Sequence, residues 1–231
     1  MARRASSRTQ LRVLGTLLLL ALIGGGFAWW HMHHWQPERD AYPVQGVEVG
    51  GEEQAVDWKA VKAIGADFAY LDASASAFAR DPGFVRNLEE AKAAGLQVGA
   101  VHRYDPCQPA DRQAANFVTV VPRDAKLLPP AVELDGLGDE CPMKVSEAAI
   151  ESELTTFLNQ VETHTGKPAL LKVTKRFEDH YGIAARIDRN LWLVGDRFQP
   201  DYAGRPWTLW TANHALDNDA GEPLRWVVVQ P

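Results

Sequence analysis

The polarity pattern along this chain changes character twice. From Val13 to Trp30 it reads VLGTLLLLALIGGGFAWW, apolar and uncharged, with no rhythm of polar positions. A stretch of that length and composition suits one bilayer crossing as a helix. Residues 36–44, QPERDAYPV, are polar and contain two prolines, as a linker does. Beyond about Gly46 two periods alternate. Short apolar runs of strand length are followed by stretches whose apolar residues recur every three or four positions.

The strand-like runs are GVEVG, DFAYLDAS, LQVGAVHRY, LPPAVELDG, PALLKVT, NLWLVGD, PWTLWTAN and LRWVVVQP. Between the earlier ones the spacing predicts helices. VDWKAVKAIG is closed by Gly65, and DPGFVRNLEEAKAAG is opened by Asp81 and Pro82 and stopped by Gly95. DRQAANFVTVV follows, then a long amphipathic VSEAAIESELTTFLNQVETHTG with Ser146 as cap and Gly166 as stop, and a short RFEDHYG. Strand, helix, strand with helical crossovers implies a parallel sheet. Because the helices thin out late, the expected fold class is α/β: a TIM-like (β/α) barrel, irregular in its last third, behind an N-terminal transmembrane helix.

Charge sharpens the division. The net charge is −6, and Arg3, Arg4, Arg8 and Arg12 contribute +4, so the rest of the chain carries −10. That remainder is a poor partner for nucleic acid. The arginines precede the apolar run and Trp29, Trp30 and Trp35 follow it, an arrangement that puts the N-terminus in the cytoplasm and the later domain outside. A cleaved signal peptide shares the charged start, but FAWWHMHHW offers no small-x-small cleavage site. The expected organisation is a basic tail (1–12), an anchor (13–30), a linker (31–45) and one barrel domain (46–231). His31, His33 and His34 read as part of a solvated tether rather than a metal site, and no metal or cofactor is expected.

In a parallel barrel the chemistry sits at the C-terminal ends of the strands. Glu48, Asp72, Asp105 and the pair Glu133 and Asp135 fall there. Residues two apart on a strand share a face, so Glu133 and Asp135 would converge. Singly, such acids are commonly surface ion pairs or helix caps, with Arg103 a ready partner. As a group they suit glycoside hydrolysis, which needs one carboxyl to protonate the leaving oxygen and another to stabilise or attack the developing cation.

The segments GVEVG, VDWKAVKAIGADFAYLDAS, DPGFVRNLEEAKAAGLQVGAVHRYDP, QAANF and LPPAVELDG, in that order, resemble the family 25 glycoside hydrolases, lysozymes that cleave the peptidoglycan sugar backbone. The resemblance runs from about Gly46 to about Trp210 and implies an irregular barrel. It places Asp135 at the proton donor, with Glu133 and Glu48 assisting, or the first two roles reversed. It puts Asp72, His102, Lys172 and Trp210 in the sugar cleft. Several positions depart from the family pattern: Glu48 and Gly50 stand for an aspartate and a serine, and the central D-x-E reads Glu133 and Asp135. Asp72, Ser74 and Ala75 replace a lysine, threonine and glutamate, Lys172 falls at a tyrosine, and the last strand lacks its acid. On this fold Cys107 and Cys141 lie in neighbouring rim loops, and outside the cytoplasm they are expected to form a disulfide bracing the cleft. The implied activity is a membrane-anchored muramidase acting on peptidoglycan or a related amino-sugar polymer. The alternative is a glycan-binding or scaffold domain that has lost the chemistry.

Overall fold

The computed structural model describes residues 7–50, 56–218 and 222–231. Arg3 and Arg4 of the basic tail lie outside these residues. Two compact units divide at Trp35 and Gln36. The first contains helix α1 (Ser7–His33), whose segment from Leu11 has a mean hydropathy of 1.9 and no buried residue. Its length and composition would let it cross a membrane, and a signal sequence would meet the same description.

The second unit is a barrel. Its strands are β1 (Gln45–Val49), β2 (Phe68–Ala75), β3 (Ala79–Arg80), β4 (Gln97–Arg103), β5 (Ala131–Leu134), β6 (Leu170–Val173), β7 (Leu191–Val194), β8 (Leu209–Leu216) and β9 (Leu224–Val229). Eight of them close into a ring, because β1 pairs with both β2 and β9, while β3 folds back on β2 as a hairpin. Neighbours from β1 to β8 run parallel; β9 runs antiparallel to both β8 and β1. The ring thus departs from a uniform (β/α) repeat at its closure, where among the described residues no helix separates β7, β8 and β9.

The helices around it are α2 (Trp58–Ala63), α3 (Phe84–Ala93), α4 (Ala110–Val120), α5 (Glu147–Thr165), α6 (Lys175–Tyr181) and α7 (Ile183–Arg186). Their ends follow local chemistry. Asp57 accepts from the N–H groups of Lys59 and Ala60, Ser146 caps α5 through Ala149, and Gly166 stops α5 at φ 71°, a conformation that costs glycine little. The two-residue β3 is too short to leave a periodic signal in the sequence.

Alternation along the strands sorts side chains between barrel interior and helix layer. Phe68, Tyr70, Val101, Ala131, Leu170, Trp192, Leu209 and Val227 pack together as an apolar plug inside the ring. Two residues further toward the C-terminal rim, the same interior face carries Asp72, Arg103, Glu133 and Lys172, each continuing the row of Tyr70, Val101, Ala131 and Leu170. The rim and the plug are therefore successive layers of one interior.

The chain enters the barrel at the other end. Gln45, fully buried, donates to the carbonyls of Pro37 and Tyr42, both at 2.9 Å, and accepts from Trp226 Nε1 at 2.7 Å. Arg39 donates to Asp67 at 3.1 Å and to the Gly65 carbonyl, which pins the lead-in beside the start of β2.

Cys107 and Cys141 form a disulfide between the loops after β4 and β5, as expected from their positions. Its sequence separation of 34 residues sets the entropy removed from the unfolded chain. Replacing both cysteines by serine should lower the unfolding free energy by about 3 kcal/mol, measured by denaturant titration of the oxidised full chain; an unchanged midpoint would refute a stabilising role.

Candidate active site

Strand register brings the rim charges together. Cross-strand neighbours on one face lie within reach of each other. Arg103 of β4 pairs in register with Glu133 of β5, Glu133 with Lys172 of β6, and Glu48 of β1 with Arg225 of β9. Each of these three neighbour pairs is an ion pair. Arg103 Nε donates to Glu133 Oε2 at 3.2 Å, Lys172 Nζ to Glu133 Oε1 at 3.0 Å, and Arg225 Nη1 lies 3.7 Å from Glu48 Oε1.

Two further contacts close the cluster. Lys172 Nζ also donates to Glu48 Oε1, joining β6 to β1 across the barrel. Asp72 Oδ2 sits 3.6 Å from Arg103 Nη2 and 3.7 Å from Arg225 Nη2. Three carboxylates and three cations thus share the top of the interior. Trp192 of the plug lies beneath, its ring centre 5.1 Å from the Lys172 ammonium, a cation–π distance.

Burial and charge push these groups in different directions. Desolvation pulls the Lys172 ammonium down, but Glu48 and then Glu133 outweigh it, and its pKa rises. Desolvation pushes Glu133 up, but Lys172 and Arg103 outweigh it, so Glu133 stays ionised well below the usual carboxylate range. Asp72 is different. Desolvation, with Glu48 added, exceeds the pull of Arg225 and Lys172 and raises its carboxyl to about 7. Glu48 Oε2 and Asp72 Oδ1 are buried with no hydrogen-bond partner among the described residues. Asp72 is also packed against Gly50, where a Cβ would fall 2.2 Å from the carboxyl. Any side chain at Gly50 would displace Asp72.

The other expected residues are placed differently. β5 ends at Leu134, so Asp135 lies just beyond the strand, exposed, with no hydrogen bond or ion pair among the described residues. Asp105 accepts from the Cys107 N–H at 2.8 Å and shapes a turn. His102 faces the helices and not the cleft. It is fully buried, stacks on Phe157, and bonds Ser74 Oγ at 2.8 Å and Gln113 Oε1 at 3.3 Å. Burial lowers its pKa to about 4, so it is neutral at pH 7. Trp210 follows the interior residue Leu209 and so points outward, buried against Tyr42 and Trp207 rather than open to a sugar. Arg225 is the rim residue that the sequence reading missed. Its signal was a lone charge in the apolar run LRWVVV.

Three charged side chains reach the rim at Glu48, Asp72 and Glu133, and Arg103, more than half exposed, marks its open side. There a cavity of about 210 Å³ lies against Asp72, Ser74, Ala75 and Arg103.

Comparison with known proteins places the barrel. The family model described as Glycosyl hydrolases family 25 matches residues 47–215. Uncharacterized protein YegX of Escherichia coli strains CFT073 and K12 is 27% identical over 177 residues, 74% of this chain and 63% of the relative. The match therefore spans less than two thirds of those curated relatives. Among solved structures, a family 25 glycosyl hydrolase from Bacillus anthracis superposes with TM-score 0.77 at 24% identity, over 87% of this chain and 94% of that one. A bacterial lysozyme from Streptomyces coelicolor gives 0.70 at 20% identity, covering 81% and 92%. A family 25 lysozyme from Aspergillus fumigatus gives 0.68 at 20%, covering 81% and 94%. At these identities the likeness of structure is one of fold.

Lys172→Met should cost about 3–5 kcal/mol of stability, because it leaves Glu48 buried without its ammonium; adding Glu48→Gln should recover part of the loss in denaturant titrations. Asp72 gives a pH signature. An unfolded aspartate ionises near 3.9, the folded one at about 7, so this residue binds its proton more tightly when folded and its contribution to stability falls as pH rises from about 4 to 7. Asp72→Asn should therefore gain stability relative to the parent as pH rises through that window, by up to roughly 4 kcal/mol at pH 8, with the gap closing near pH 4; a pH-independent difference in melting temperature would contradict this.

Proposed function

This chain belongs to the glycosyl hydrolases of family 25, and we propose that it is a membrane-anchored hydrolase of peptidoglycan or a related amino-sugar strand. The observation that carries the reading is the ionised Glu133 held at the rim by Lys172 and Arg103, with Asp135 two residues further along the same edge and open to solvent. Asp135 donates the proton to the departing glycosidic oxygen. Glu133, kept negative, stabilises the positive charge that grows on the sugar ring, and water completes the cleavage. Glu48 acts through Lys172 and fixes where Glu133 points. The apolar α1 holds the enzyme at the cytoplasmic membrane with its basic end inside and the barrel outside.

A second reading is supported by the charge balance. Arg103, Lys172 and Arg225 offset the three rim carboxylates, and the final strand supplies a cation to the cluster. A rim neutralised in this way suits holding a glycan without cutting it. The deciding experiment incubates the oxidised full chain in detergent with purified peptidoglycan and follows new reducing ends. Hydrolysis lowered roughly 100-fold or more by both Glu133→Gln and Asp135→Asn is the expected result. Strand binding with no reducing ends from the parent chain would select the binding protein.

A further inference from the structure

The cavity beside the charged cluster has a second wall that the proposed hydrolysis does not use. It is the β2–β3 hairpin with Ala79 and Arg80, continued by Asp81 and Pro82. Small residues make room there: Ala75 stands in register with Ala79 on one side and Arg103 on the other.

The hairpin is held rigidly. Asn116 of α4, 4% exposed, donates from Nδ2 to the carbonyls of Ala79 at 2.8 Å, Ser76 at 3.2 Å and Ala75 at 3.4 Å. The Ser76 N–H donates to the Arg103 carbonyl at 3.1 Å. Ser76 is thereby kept at φ 47°, a left-handed conformation that a residue with a Cβ rarely adopts, and one that concentrates at functional sites.

The same Asn116 orients an arginine. Its Oδ1 accepts from Arg80 Nε at 2.8 Å, and the terminal nitrogens of Arg80 make no hydrogen bond or ion pair among the described residues. Arg103 and Arg225 have carboxylates of this chain beside them; Arg80 is fixed by a neutral amide instead. Asp81, on the same wall, directs Oδ1 to the Gly83 N–H at 2.6 Å, at the start of α3. Between Ser76 and Arg80 the hairpin carries Phe78, a residue 76% exposed.

A positioned guanidinium without an acid of its own complements a carboxylate, which it can take through paired N–H groups. An exposed aromatic ring offers the apolar face that a sugar ring packs on. We propose that the β2–β3 hairpin is a binding platform for a carboxylate-bearing sugar of the glycan strand, with Arg80 holding the carboxylate and Phe78 the ring. This rests on the reading of the protein as one that engages glycan strands, and it assigns that substrate a charge. The carboxylate is either the acid group on the sugar itself, free where no peptide is joined to it, or a free carboxylate of an attached peptide.

The test measures binding of the full chain in detergent to three labelled ligands: peptidoglycan strands with their peptides, the same strands stripped of peptide by an amidase, and neutral N-acetylglucosamine oligomers. Arg80→Gln should weaken binding to carboxylated strands about tenfold and leave the neutral oligomer within about twofold. The loss is seen with stripped strands, where the amidase has freed the sugar acid, if the sugar carries the recognised group, and is confined to peptide-bearing strands if the peptide does. Phe78→Ala, at an exposed position that leaves the melting temperature unchanged, should weaken all three several-fold. Arg80→Gln binding both carboxylated ligands as the parent does would overturn the proposal. Strand cleavage is scored separately: no cleavage with Arg80-dependent binding removes the hydrolase and keeps the platform, and cleavage with Arg80-independent binding does the reverse.

Discussion

One ammonium group organises the top of this barrel. Lys172 is buried inside a closed ring of strands, where an isolated charge would cost several kcal/mol even after relaxation. It is tolerated because Glu133 comes from the adjacent strand and Glu48 from across the ring. Lys172 gains both acids only if β1, β5 and β6 are all in place. The ring must therefore close correctly for its interior charges to be compensated, and an error of one residue in register would leave at least one of them unpaired. Replacing such a cluster by apolar side chains is commonly neutral or favourable for stability. Its presence points to a demand beyond folding.

The cluster also separates three chemically similar acids. Glu133 sees two cations within hydrogen-bond range and stays charged, whereas Asp72 sees its cations only at 3.6 Å and beyond, with Glu48 nearby, and holds its proton near neutrality. Burial pushes both carboxyls up, and the closeness of the cations then decides which one it leaves protonated near neutrality. Asp135 lies outside the strand and exposed. Environment and residue type together set the roles available at this rim.

Much of this was legible beforehand. Strand and helix periods located the elements, and the acids at the strand ends fell at the rim where the charges cluster. Facing was harder. His102 and Trp210 lie at strand positions that look equivalent to cleft residues until register shows Val101 and Leu209 pointing inward, which turns their neighbours outward. The apparent convergence of Glu133 and Asp135 assumed that β5 ran on past Leu134, and nothing in ELDG announces that it stops. Attention to acids also hid a cation: the single arginine in LRWVVV, like Lys172 in LLKV, stands in an otherwise apolar strand and is as informative as a carboxylate in the same setting. The hairpin had no periodic trace, because its return strand is two residues long.

The lead-in clamped by Gln45 meets the barrel at the N-terminal ends of the strands, and the charged rim crowns the C-terminal ends. Residues 37–45 therefore join the domain at its base, with the full height of the barrel between them and the charged rim. The barrel is itself a spacer of fixed length. The standoff between its base and the charged rim is set by the strands alone.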